Sequence, residues 1–162
     1  MNNQLLLNYK ILYKKHQNLE SIYNKCKNQN KIIDEEELFE SLNDVLAWFE
    51  PTILNLQFNI SDSKYISALK FVNNKRKHCE KFYKITLSTL SLYPSDNLYP
   101  NDNLYPLSFG IYWENLKLDK ECFKNQYNNY NKVLLNKNVI ETLSEIMKII
   151  NKNITKINNK VT

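Results

Sequence analysis

Glycine is all but missing from this chain of 162 residues, with Gly110 its single example. Loops that cradle phosphate, in P-loop and dinucleotide-binding sites, need several glycines at fixed spacing, so those nucleotide sites are excluded. Tight hairpins also draw on glycine for positive-φ turn positions. The scarcity therefore points toward helices, with the abundant asparagines able to fill left-handed positions. Arginine is as rare: of 22 basic side chains only Arg76 is one. Lysine supplies a solvated charge, but it cannot supply the flat donor fork that grips a carboxylate or phosphate. Histidine is confined to His16 and His78. The cysteines, Cys26, Cys79 and Cys122, are odd in number, and no two stand at metal-ligand spacing. They read as reduced core thiols of a cytoplasmic protein, with no metal site and no cofactor expected. The only apolar run near the start, residues 5–7, is too short for a signal peptide or membrane span, so no membrane association is expected.

What is present suits one globular domain over residues 1–162. Hydrophobic residues make up 43% and aromatics 12%, enough to bury a core in a chain of this size. The net charge of +5 is compatible with RNA or an acidic protein partner. Its lysines are spread along the whole length, as on a solvated surface.

The periodicity predicts an all-α bundle of five to six helices. Leu5, Tyr9, Leu12, Leu19, Tyr23 and Cys26 mark a first helix over residues 4–28, with His16 read as a surface residue. A second starts at Asp34 as cap, places Glu35, Glu36 and Glu37 against the helix dipole, and stops at Pro51. A long third helix opens at Ser61 or Ser63 and runs to Leu90. Next comes the unit Leu-Tyr-Pro-x-Asp-Asn, present twice with a third Leu-Tyr-Pro start. Prolines at that spacing exclude helix and sheet interior, so residues 93–106 read as a low-complexity loop between the central and C-terminal halves. A brief β-prone stretch covers 107–113. Asp119 caps a helix through Cys122, Phe123, Tyr127, Tyr130, Val133 and Leu134. A last helix begins near Lys137, with a frayed tail over 151–162.

The chemistry candidates lie in the third helix, on Asn73-Asn74-Lys75-Arg76-Lys77-His78. Val72, Arg76 and Cys79 share a stripe, which puts Arg76 near the core-facing edge. Intramolecular pairing with a carboxylate among residues 34–37, or with Glu50, is the expectation there. Asn74 and His78 are spaced i, i+4 on one face, whereas His78 lies about 200° around the helix from Arg76.

This helix resembles the signature helix of the HEPN superfamily, in which an Arg followed by a polar residue precedes a His by four to six positions. The resemblance implies an all-helical fold, a homodimer, and in many members metal-independent RNA cleavage. His78 matches the motif histidine and Asn74 the polar position, while the motif arginine falls on Asn73. The family's chemistry needs a cation on the scissile phosphate while the histidine moves a proton. Asn73 carries none, so binding fits better than cleavage. On this reading Asn73, Asn74 and His78 are the degenerate catalytic set, and Lys75, Arg76 and Lys77 the binding residues. The function expected is that of a small HEPN-like protein of a bacterial defence, toxin–antitoxin or mobile-element system, binding a protein partner or RNA. An active ribonuclease using His78 and a phage-encoded inhibitor or immunity protein are the alternatives.

Overall fold

The computed structural model describes residues 3–29, 35–54, 56–78, 80–89 and 107–158. Among them are five α-helices and one two-stranded antiparallel sheet. In chain order they are α1 (Asn3–Gln29), α2 (Glu35–Ile53), α3 (Ile60–Lys77), β1 (Tyr83–Thr89), β2 (Leu107–Trp113), a 3-10 turn (Glu121–Phe123), α4 (Lys124–Val133) and α5 (Val139–Asn158). The helical class read from periodicity is the class observed. No described helix is long and apolar enough to cross a membrane.

Two antiparallel helix pairs, α1 with α2 and α3 with α4, form the body, and α5 packs against α1, α3 and β2. The core is built from the i, i+3, i+4 faces, with Leu12, Leu19, Leu38, Leu42, Leu46 and Phe49 essentially inaccessible. Trp113 closes it from the hairpin. Fully buried, its indole Nε1 donates to Thr142 Oγ1 of α5 at 2.7 Å, which satisfies a donor that would otherwise be stranded.

Several boundaries differ from the periodic reading. The third helix ends at Lys77, not Leu90, and residues 83–89 form β1 against β2, in a register from Tyr83↔Trp113 to Thr89↔Leu107. Phe82, Tyr83, Thr86 and Leu87 satisfy the helical and the extended period alike. β-Branched Ile85, Thr86 and Thr89, with a β-prone partner at 107–113, decide for strand. Pro51 lies inside α2, which continues to Ile53. A proline one turn from a helix end forfeits only one backbone bond, and Thr52 Oγ1 donates back to the Trp48 carbonyl at 2.7 Å. Asn59, not Ser61 or Ser63, caps α3, its side chain accepting from the Asp62 N–H at 2.7 Å. Asp119 caps nothing, because its carboxylate is held by Lys75. The C-terminal helix extends to Asn158, and Asn153 and Ile154 are buried on it, so 151–158 are not a frayed tail. Cys26 is buried as expected, whereas Cys122 is exposed. Asp34, Cys79 and the 93–106 repeat lie outside the described residues.

Candidate functional site

The last turn of α3 carries Lys75, Arg76 and Lys77, where cations are favoured by the helix dipole. Around this turn Asn73, Arg76 and Lys77 share one network, and Lys75 has another. Asn73 is only 1% exposed. It donates from Nδ2 to Glu50 Oε2 at 3.1 Å and accepts from Arg76 Nε at 2.8 Å, so both ends of its amide are engaged. Lys77 Nζ pairs with the same Glu50 Oε2 at 2.5 Å, near the surface. Glu50 thus anchors this turn to α2, as one of the expected carboxylates, but it reaches Arg76 only through Asn73.

Lys75, read from sequence as a binding residue, is buried, its side chain 4% exposed. Its ammonium holds Glu80 at 3.1 Å and Asp119 more closely still, and it lies 5.7 Å from the Phe71 ring centroid. Burial works against its charge, but the bonds to Asp119 and Glu80 outweigh that and raise its pKa above the ordinary lysine value. Lys75 is therefore an internal tie between α3 and the segment before α4. The spacing Phe71, Lys75 on the buried face is the signal that could have shown it.

Arg76 is half-buried, and beyond Asn73 no partner for its guanidinium occurs among the described residues. Arg76, held at Nε, lines a cleft of about 530 Å³ together with Glu35, Phe39, Glu80, Phe82 and Tyr83. Phe39 is 43% exposed there, an unusual state for a large ring, and it stacks with Phe82 and Tyr83 at centroid distances of 6.4 and 6.2 Å. Burial, with help from Glu35, pushes the Tyr83 hydroxyl above its usual range, so it stays a neutral donor at pH 7. The cleft joins one rigid arginine fork to an aromatic wall.

His78 caps α3 and is exposed, its N–H donating to the Lys75 carbonyl at 3.0 Å. Asn74 is half-buried, and no hydrogen bond joins it to His78 among the described residues. The structure therefore brings Asn73, Arg76 and Lys77 into one network and leaves His78 outside it.

The other histidine departs most from the reading of the sequence. His16 is 4% exposed, facing α5 from α1. Its Nδ1 lies 3.7 Å from Glu20 and its Nε2 3.4 Å from Ser144 Oγ, while Ser144 Oγ bonds Glu20 at 2.9 Å and the Ile140 carbonyl at 2.9 Å. The set has the composition of a nucleophile, base and carboxylate. The serine, however, is committed to other acceptors, and the histidine contacts are too long for proton transfer. Burial lowers the His16 pKa despite Glu20. Position 16 completes the rhythm of Leu12, Leu19 and Tyr23, which was the signal available in the sequence.

A second cleft of about 390 Å³ lies between Tyr65, Tyr112, Lys137, Asn138, Glu141 and Thr142. Among the described residues no three His, Cys, Asp or Glu side chains gather as metal ligands would. The chain matches no family model, no curated protein and no solved structure.

Proposed function

We propose that this protein acts by binding a protein partner through the Arg76 cleft, as a degenerate, HEPN-like member of a defence, toxin–antitoxin or mobile-element system. The observation that carries the reading is the arginine held at Nε by a buried asparagine, in one cleft with exposed Phe39. Preorganised arginine beside aromatic surface is the usual composition of a protein-binding hot spot. Glu35 and Glu80 on the same cleft disfavour the phosphates of RNA.

Cleavage is the weaker reading on specific grounds. Asn73, at the position of the motif arginine, is sealed between Glu50 and Arg76 and has no free face for a phosphate. The homodimer implied by the resemblance belongs to this proposal only through the polar end of α3. Leu69, Phe71 and Val72 are spent inside the domain's own core. A strictly monomeric species in light scattering would count against that pairing.

The discriminating experiment is Arg76→Lys, which keeps the charge and loses the fork. Affinity purification from the native cell, with wild type and variant compared by mass spectrometry, should show the same partner lost from the variant. Losing the Nε bond to buried Asn73 should itself lower stability by about 1–3 kcal/mol, so circular dichroism must first show the variant folded. Incubation with total RNA in chelator gives the opposite test. Cleavage abolished by His78→Ala would establish the ribonuclease and end the binding proposal.

A further inference from the structure

Among the described residues, the β1 edge of the hairpin beside the Arg76 cleft has no backbone partner. Trp113 in β2 turns both backbone groups away from β1: its N–H donates to the Lys137 carbonyl at 3.1 Å, and its carbonyl accepts from the Asn136 N–H at 3.3 Å. Tyr83 stands opposite Trp113 in the register. Antiparallel pairs alternate between bonded and non-bonded positions, so Tyr83, Ile85 and Leu87 point their N–H and C=O outward, while Lys84, Thr86 and Ser88 bond β2. The Glu114 N–H to Phe82 carbonyl bond, at 3.0 Å, has the phase this assignment requires. Among the described residues no backbone group pairs with the outward set. Tyr83 is buried, Ile85 half-buried and Thr86 exposed, so the strand emerges toward solvent beyond Tyr83.

This edge leads into the cleft, because Tyr83, the first residue of β1, lines it with Arg76. We infer that the partner, on the protein-binding reading above, docks as an extended segment that adds a third strand to β1 and sets one carboxylate on Arg76. A helical partner would leave the edge groups unmatched, since its own backbone bonds are internal, whereas strand addition satisfies them in order. The charge pattern fixes the segment's chemistry. Arg76 and Lys81 receive one acid. A second would meet Glu35 and Glu80, so the flanking residues are apolar or β-branched, and the aromatic wall accepts an apolar side chain.

The probe is a displayed library of random dodecapeptides panned against the full chain. Enriched sequences should alternate β-branched with other residues and carry a single Asp or Glu toward one end. Ile85→Pro deletes an outward N–H and leaves the β1–β2 ladder intact, as proline is tolerated on an edge. An enriched peptide should bind it, and Arg76→Ala, about tenfold or more weaker than wild type. In the wild type the same peptide should slow amide exchange at Ile85 and Leu87. Binding lost in Arg76→Ala, with Ile85→Pro unaffected and no slowing of exchange, would overturn strand addition and keep the cleft. Undiminished binding in Arg76→Ala, or no enriched peptide, would overturn both. Should Ile85→Pro fail to fold by circular dichroism, the wild-type exchange result decides.

Discussion

Removing both carboxylates from Lys75 should cost far more than removing Lys75 itself. The Lys75 side chain is 4% exposed, whereas those of Glu80 and Asp119 are 38% and 55% exposed. In the double variant Glu80→Gln, Asp119→Asn a buried cation loses both counter-ions, a change that typically costs about 3–5 kcal/mol. Deprotonation sets a ceiling, because neutralising a lysine of ordinary pKa at pH 7 costs about 5 kcal/mol. Lys75→Met instead leaves two hydrated carboxylates and an apolar side chain against Phe71, so its cost should be about 0–1 kcal/mol. Urea titrations followed by circular dichroism, with the slope unchanged, measure both. The sign with pH is a second check. In the double variant the folded Lys75 pKa falls below its unfolded value, so the unfolded state binds more protons and stability rises with pH up to about 10.4. In the wild type the pKa is raised, so the contribution is complete below that value and declines above it. Equal losses in the two variants, or a double variant within about 1 kcal/mol of wild type, would refute the view of Lys75 as a tie that needs its anions.

Three further outcomes follow from the same contacts. His16, with its pKa lowered by burial, should make the fold lose stability as pH falls below about 6.5, and His16→Gln should flatten that slope in urea titrations at neutral and acid pH. Thr142→Val strands the Trp113 indole donor and should lower stability by about 1–3 kcal/mol, with a shift in tryptophan emission. Gly110→Ala places a methyl 2.5 Å from the Tyr112 ring, so the ring should swing from its seat, visible as a displaced Tyr112 resonance, at a stability cost of about 1 kcal/mol.

The helices with strong stripes were legible because burial on one face writes a 3.6-residue period into α1, α2 and α5. Residues 82–89 were misread because their apolar positions fit two periods and only the pairing with 107–113 breaks the tie. Polar residues on buried faces were the other blind spot. His16 and Lys75 occupy apolar registers, but their partners, Ser144 and Asp119, are distant in sequence. Arg76 was placed correctly near the core edge, yet its link to Glu50 passes through Asn73, a mediation that no spacing rule encodes. The sole glycine also defied composition. It sits in β2 with an ordinary φ under the Tyr112 ring, while the one positive-φ residue among the described non-glycines is Asn136, at 59°.

The hairpin register has a genetic consequence. Thr89 and Leu107 face each other as the last pair of the ladder, and the Leu-Tyr-Pro-x-Asp-Asn units fall between them in the chain. The ladder is pinned at its far end, where Trp113 bonds the 136–137 turn and Glu114 bonds Phe82. Replication slippage that adds or drops a unit therefore changes the chain between Thr89 and Leu107, outside the paired register. The gene can accumulate length alleles here without shifting one strand against the other, so natural variants of this protein should differ in repeat number while keeping the Tyr83–Trp113 pairing.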